Sequence, residues 1–474
     1  MQKILYPIYI AYLILIISLV FFDRRKPMVR FSWILALIFI PGIGLLLYLF
    51  IGSDRFLDYR KEKIRRRRGA ILVELEQVAN NNCGPKPVSS KAQLFHQNYC
   101  GSILTTDNEV ELYTKGKDKY ERLFQDLQEA KDHIHIQYFA FERDFIGKKL
   151  INILIEKVNQ GVEVKLMYDS IGCLLTFIYP LLHKLKKAGG QVSTIRPHAL
   201  DVNYRNHRKI VVIDGKVGYT GGMNIGSKYQ DGVRNLVWRD THIRIVGSAV
   251  KYLQQVFLFD WITSIKKPDI GLRYELCHYF PKIFATGKTD VQVVANGLYD
   301  KYKQQDIIKL SYFNLMSRAN KRVWIQTPYF APSSLIMQTL KTLAALGVDV
   351  RIMTSSSYAF GGFFHRSIGN YFLRHLMECS DVKVYKYNGI MHAKTMLVDD
   401  QGLCIGSVNL NTRSLERDDE LYVYSESKEL IEQYEKVFLK DFKNSTELDY
   451  VKFKKPPILV RAVESAMSFF SPLS

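Results

Sequence analysis

Two short runs in this 474-residue chain carry side chains that can attack, protonate and hold a phosphate. The first is His207, Lys209 and Asp214, followed by Gly221, Gly222 and Asn224. The second is His392, Lys394 and Asp399, followed by Gly406, Ser407 and Asn409. Both read H-x-K-x4-D and then G-[GS]-x-N at the same offset, and the histidines stand 392 − 207 = 185 residues apart. An imidazole is nucleophilic near neutral pH, an ammonium is a fixed cation, and an amide supplies neutral donors. Two such sets facing one another supply a nucleophile, a general acid and a positive cradle for a phosphodiester. One H-x-K alone reads equally well as an exposed strand edge; its return with the same tail makes the pattern specific.

Between each lysine and its aspartate lies an apolar run, 210–213 and 395–398. That predicts a strand with His and Lys two apart on one face, and a second apolar run folding back beside the first as a hairpin.

The tract Asn203-Tyr204-Arg205-Asn206-His207-Arg208-Lys209, with Trp238-Arg239-Asp240-Thr241-His242 downstream, resembles the phospholipase D superfamily and its bacterial cardiolipin synthase branch. The resemblance covers nearly the whole chain and is more specific for the superfamily than for the substrate. It implies that one motif histidine attacks phosphorus and becomes a phosphohistidine, while the other protonates the leaving alcohol and then deprotonates the incoming one. Carried over, His207 is the nucleophile and His392 the acid/base. Lys209 and Lys394 neutralise the phosphoryl oxygens, Asn224 and Asn409 donate to them, and Asp214 and Asp399 close the motifs. An acid follows each histidine: Asp240 after His207 (240 − 207 = 33) and Glu420 after His392 (420 − 392 = 28). In the resembling family such acids serve the opposite half, which pairs Glu420 with His207 and Asp240 with His392. The competing expectation pairs Asp240 with Arg239 or Arg244 on a strand edge. One departure stands out: where the family usually has Asn, any residue, Glu, this chain has Asp418, Asp419, Glu420.

The formal net charge of +20 favours an anionic partner, nucleic acid or acidic lipid, and does not choose between them. The six cysteines are scattered without a C-x-x-C, which reads as reduced thiols and neither a disulfide framework nor a zinc site. No metal or cofactor is implied: no cluster has ligand spacing, and the two lysines fill the electrostatic role of a metal. His133, His135, His198 and His242 read as structural, with His198 and His242 the first to check.

At the N-terminus, residues 4–22 carry no charge and at ~1.5 Å per residue are long enough for a bilayer core. Residues 31–52 form a second apolar segment, interrupted by Pro41, Gly42 and Gly44, that either spans or re-enters. Arg24, Arg25, Lys26 and Arg30 lie between them; twice as many cations follow, from Arg55 to Arg68. By the positive-inside rule both termini are cytoplasmic. Beyond a turn-rich stretch at 80–90, helix and strand patterns alternate and then restart. The expected strands are 133–141, 163–169, 192–196 and 241–246 in the first half, and 322–330, 349–354 and 382–387 in the second. This is an internal duplication.

The expected fold is therefore α/β: two fused, duplicated phospholipase D-like domains with central mixed β-sheets, preceded by a transmembrane helical hairpin. The boundaries are a hairpin at 1–58, a basic linker at 59–90, halves at 91–285 and 286–448, and a tail at 449–474. The tail reads as a membrane-lying helix or a docked terminus, and the aromatic stretch 360–372 as an acyl-chain entrance or ordinary core. The function implied is cardiolipin synthesis at the cell membrane with phosphatidylglycerol and other anionic phospholipids as partners, and no nucleic acid. Hydrolytic phospholipase D, transfer to another alcohol, a nuclease, and a membrane tether with a decayed catalytic domain are the alternatives.

Overall fold

The two halves are joined edge to edge by a pair of strands that the motif pattern does not reveal. The computed structural model describes residues 2–21, 27–40, 42–48, 55–80, 87–195, 205–265, 273–283, 287–296, 306–356, 362–378 and 380–471. These fall into two compact units, one running to Gly69 and one beginning at Ala70.

In the first unit, Gln2–Phe21 is one helix of 20 residues, and the second apolar segment is broken into helices Pro27–Phe39 and Ile43–Leu47. Gly42 has φ +82°, and a Cβ on Gly44 would stand 2.7 Å from the Ala36 carbonyl, so this reversal needs its glycines. Among the described residues no helix is long and apolar enough to cross a membrane. The transmembrane hairpin is thus carried by the sequence alone. The basic stretch expected as a linker is helical through Arg55–Asn80, and its last turns bury Leu72, Leu75 and Val78 in the core of the second unit.

In the first half of the second unit the strands are β1 (Thr105–Tyr113), β2 (His133–Tyr138), β3 (Glu163–Asp169), β4 (Gln191–Ile195), β5 (Ile210–Ile213), β6 (Val217–Gly221), β7 (Trp238–Arg239) and β8 (His242–Val246). The second half has β9 (Thr289–Ala295), β10 (Arg322–Gln326), β11 (Phe330–Ala331), β12 (Asp349–Ser355), β13 (Lys383–Tyr387), β14 (Ile390–Met391), β15 (Thr395–Val398), β16 (Gly402–Gly406), β17 (Leu410–Asn411), β18 (Leu421–Ser425) and β19 (Ser445–Glu447). Instead of one sheet per half there is one central 15-stranded sheet, ordered β4-β3-β2-β5-β6-β8-β1-β9-β18-β16-β15-β10-β12-β13-β19, with β11–β17 and β7–β14 as separate short pairs. Read outward from the β1–β9 junction, the two halves repeat each other. In each, an antiparallel hairpin (β5–β6, β15–β16) is followed by three parallel strands (β2, β3, β4 and β10, β12, β13).

Both faces of this sheet are covered. Ile210 and Val212 face a core shared by both halves, filled by helices Val250–Ser264 and Lys428–Lys443; Val211 and Ile213 face the other way, into the helices of the first half. A strand buried on both faces is apolar throughout, which is why the motif runs carry no polar alternation.

Candidate active site

Each H-x-K segment lies just before its strand, not within it, and runs alongside the opposite half. The His207 amide donates to the Asp419 carbonyl at 2.8 Å, and the His392 amide to the Arg239 carbonyl at 2.7 Å. β14, entering His392, pairs in parallel with β7, entering Asp240. Exchanging backbone bonds in this way sets each imidazole beside the acid of the other half.

The distances are short. His207 Nδ1 stands 3.1 and 3.2 Å from the two Glu420 oxygens and 3.0 Å from the Ser407 carbonyl. His392 Nδ1 stands 2.5 Å from Asp240 Oδ2, with Lys394 Nζ 2.9 Å from the same nitrogen. A carboxylate at that distance requires the proton on Nδ1, so the lysine acts there as a neighbouring charge rather than a donor, and Nε2 keeps its lone pair. Neither rival guanidinium pairs with the Asp240 carboxylate: Arg239 pairs with Asp441 and donates only to the Asp240 carbonyl, and Arg244 pairs with Asp126 and Glu111.

Burial, then the charges of Lys209 and Lys394, hold the His207 imidazole well below its usual range. Burial and Lys394, opposed by Asp240, bring His392 down to about 3. Burial lowers Lys209 to about 7 and Lys394 to about 8, and pushes Glu420 up to about 7 against the pull of Lys209. For Asp240 burial is outweighed by His392 and Lys394, which keep it below the ordinary carboxylate range. Each lysine is felt by the histidine of the opposite half, so the four groups share one electrostatic site. With both imidazoles neutral and two ammonium groups nearby, the site is poised for an anion that restores the balance.

The motif asparagines differ. Asn224 Oδ1 accepts from the Ala140 amide at 3.2 Å and its Nδ2 donates to Tyr229 at 2.8 Å. Asn409 is buried, and its Oδ1 has no hydrogen-bond partner among the described residues. The tail residues differ too. A Cβ on Gly222 would stand 2.0 Å from Asp240 Oδ1, whereas Ser407, at the matching place, donates its hydroxyl to Glu420.

Asp214 and Asp399, expected to close the motifs and grouped with the catalytic residues, spend their carboxylates on backbone amides at the far end of the motif strands. Asp214 accepts from the Lys131, Asp132 and His133 amides at 2.9–3.0 Å; Asp399 accepts from Asn320, Lys321 and Arg322 at 2.8–2.9 Å. Five residues beyond the lysine along an extended chain, about 16 Å away, each holds the turn that leads into β2 or β10.

A second layer of groups escaped the sequence reading. Asp260 accepts from Gln137, Asn206 and Arg208 at 2.6–2.8 Å, and Asp441 accepts from Gln326 and Arg239 at 2.8–2.9 Å. Gln137 and Gln326 hold matching places on β2 and β10, and the two aspartates lie on matching helices. Where the first motif has Arg208, the second has Ala393, and the guanidinium for Asp441 comes from Arg239 of the opposite half. Aligning the halves beyond the motifs would have shown the two aspartates, since Asp260 follows His207 by 260 − 207 = 53 and Asp441 follows His392 by 441 − 392 = 49.

Asp418, in the family's usual Asn position, forms a buried ion pair with Arg413 at 3.1 Å and accepts from the Arg205 amide. His242 is buried, and neither ring nitrogen has a partner among the described residues; His198 lies outside them. Asp132, His133 and His278 come within metal-ligand reach of one another, but at the opening end of β2, with the Asp132 carboxylate already 2.7 and 3.1 Å from the two imidazoles.

The comparisons with known proteins agree with this geometry. The family described as cardiolipin synthase, PLD-like domain, matches residues 123–261 and 312–442, and the phospholipase D-nuclease N-terminal family matches 10–53. A cardiolipin synthase of Staphylococcus aureus strain N315 is 32% identical over 484 residues, covering 98% of this chain and 95% of that one. One of Listeria monocytogenes serotype 4b strain F2365 is 32% identical over 472 residues, covering 96% and 95%. The crystal structure of phosphatidylserine synthase from Haemophilus influenzae Rd KW20 superposes with a TM-score of 0.62 at 16% identity, over 81% of this chain and 100% of that one, and shows the shared fold. With two H-x-K segments meeting on one phospholipase D-like sheet and relatives matched over nearly its full length, this chain belongs to the cardiolipin synthase family and is a phosphatidyltransferase.

Proposed function

We propose that this chain synthesises cardiolipin by passing a phosphatidyl group from one phosphatidylglycerol to the hydroxyl of another. His207 Nε2 attacks phosphorus, the phosphorus–oxygen bond to glycerol breaks, and His392 gives glycerol its proton. The hydroxyl of the second phosphatidylglycerol then loses its proton to His392 and attacks phosphorus, and the phosphorus–nitrogen bond breaks to restore His207. Lys209, Lys394 and Asn409 face the phosphoryl oxygens, and Asn224 supports the first half of the cradle. The arriving phosphate anion offsets the two ammonium groups, which allows His392 to take up the proton it later donates. Glu420 and Asp240 each compensate the imidazolium of the opposite half.

The observation that carries this reading is the crossed pair of contacts, His207 with Glu420 and His392 with Asp240. It gives two separately oriented imidazoles in one buried, doubly cationic site. The first unit supports a location in the cell membrane, with 1–58 as a two-helix hairpin and the active site on the cytoplasmic side. Its first three helices are predominantly apolar and expose Ile14, Ile17, Phe39 and Ile43. Anionic phospholipid is then the partner for the positive charge, and nucleic acid is not.

The test is purified protein with labelled phosphatidylglycerol, scoring cardiolipin, phosphatidic acid and glycerol. Cardiolipin and glycerol are expected in equal amounts, and His207→Ala or His392→Ala should each lower turnover by several orders of magnitude. Phosphatidic acid as the main product would make the enzyme a hydrolase, and an active histidine variant would end the two-histidine route.

A further inference from the structure

Large apolar side chains are exposed beside the active site, on both halves, and each group is tied to the site through packed residues. In the first half they follow β3. Asp169, the last residue of β3, accepts from the Ile171 and Gly172 amides and, with its other oxygen, from the Asn206 amide beside His207, each at 2.9 Å. A Cβ on Gly172 would stand 2.1 Å from the Phe139 carbonyl, and the Phe139 ring lies 4.9 Å from the His207 ring and 5.5 Å from Lys209 Nζ. Directly after this buried anchor come Leu174, Leu175 and Phe177, all exposed, Leu175 by 82%. Phe177 has φ +51°, a left-handed conformation that bulky residues avoid. A strained aromatic held out into solvent has no folding rationale.

In the second half the matching position after β12 leads into helix Gly362–Glu378, whose Phe363 is exposed. The next residues turn inward: His365 packs 4.6 Å from Tyr329, and Tyr329 feels the charge of Arg205, two residues before His207. Helix Ile458–Ser468 docks here. Its one buried side chain is Glu464, 2.5 Å from Arg374, while Ile458 and Leu459 face outward. Phe470 lies 6.3 Å from Phe364, and Phe469 beside it is 83% exposed. A segment that shows Ile458 and Leu459 at one end and Phe469 at the other suits a hydrocarbon neighbour rather than water.

We propose that these two lips, Leu174–Phe177 on one half and Phe363 with Phe469 and Phe470 on the other, enter the hydrocarbon of a phospholipid bilayer. They would hold the active site against the headgroup layer, so that a lipid phosphate reaches His207 without its acyl chains leaving the membrane. This rests on the lipid-substrate reading above and adds to it how the substrate is delivered. The occupant is a bilayer because the exposed groups belong to both halves and flank a cationic site, in a chain of net charge +20. That combination matches an apolar layer with an anionic surface.

The test uses the full chain with two forms of one substrate: long-chain phosphatidylglycerol in phosphatidylcholine vesicles, and dihexanoyl-phosphatidylglycerol as dissolved monomer. The triple variant Leu174→Ser, Leu175→Ser, Phe177→Ser and the double variant Phe469→Ser, Phe470→Ser should each lose tenfold or more on vesicles and stay within about twofold on monomer. An equal loss on both substrates, or no loss on vesicles, would overturn the proposal. So would a shift from dimer to monomer in gel filtration, which would make a second copy of the chain the true occupant. Independently, Leu175→Trp should gain fluorescence that brominated lipid in the vesicles quenches, above the background of the parent's tryptophans; an unquenched signal counts against insertion. Product identity judges the cardiolipin reading, whereas the vesicle-to-monomer ratio of total product judges the lips, so either can fail alone.

Discussion

At the scale of single residues, the two carboxylates that orient the histidines are not interchangeable. Asp240 is one short contact from His392 and stays ionised, while Glu420 shares its oxygens among His207, Ser407 and the pull of Lys209, and burial raises it to about 7. Glu420→Gln should lower kcat by about 10²–10⁴-fold and leave KM nearly unchanged, because shape persists while charge compensation is lost. The pH dependence follows from the same groups. Activity is expected to rise with pH as Glu420 loses its proton near 7, and to fall as Lys209 and Lys394 lose theirs near 7 and 8, which gives a narrow bell. Glu420→Gln should remove the rising limb, and Lys394→Arg should push its part of the falling limb upward; steady-state rates from pH 5 to 10 would check both. The stability sign is opposite to the activity sign on the rising limb. A carboxyl raised from 4.5 to about 7 contributes stability below 4.5 and loses it as pH rises through 7. Unfolding of the Gln variant should therefore show a flatter pH slope in that window.

At the scale of elements, the motif strands and the alternating helices were legible because short continuous apolar runs and Gly-marked turns are local signals. β1 and β9 were not, since Thr105–Tyr113 is mostly polar and its partner β9 opens the second half, more than 180 residues on. The crossed acids were reached by resemblance and chemistry. The Arg208–Asp260 pair was missed because Asp260 lies 52 residues beyond the arginine, outside the motif, and the Arg239–Asp441 pair because Arg239 serves a helix of the other half, 202 residues away. The terminal aspartates show what a motif letter can conceal: they look catalytic in a pattern and are turn staples in space. Asp399, buried, should cost more when lost than half-buried Asp214. Asp399→Ala is expected to destabilise by about 1–3 kcal/mol through three orphaned amides, with kcat preserved in the folded fraction. A thermal-unfolding series beside single-turnover rates would separate this from a chemical role, which would instead lower the rate at unchanged stability.

At the scale of the whole molecule, fusing both halves into one sheet makes the active site a product of the duplication, since neither half holds an oriented histidine without the other. The same chain places this sheet after an apolar N-terminal segment, and its charge distribution makes a claim about sidedness. Four cations, Arg24, Arg25, Lys26 and Arg30, lie between the two apolar segments, and eight follow between Arg55 and Arg68. Short-loop Lys and Arg set orientation, and the larger cluster stays on the cytoplasmic side. If the first two segments form a hairpin, the loop at 23–30 is outside and everything from the basic helix onward is inside, where a +20 chain meets anionic headgroups. A cysteine placed at Val29 should then react with a membrane-impermeant thiol reagent added to intact cells lacking their outer layers, and one placed at Ser90 should react only after lysis. The existing cysteines supply the internal control: Cys277 is exposed on the second unit and should label with Ser90→Cys, not with Val29→Cys. Labelling of both new sites from outside would put the active site on the outer face. Labelling of neither would bring the loop inside, as expected of a segment that re-enters at Gly42 and returns without crossing.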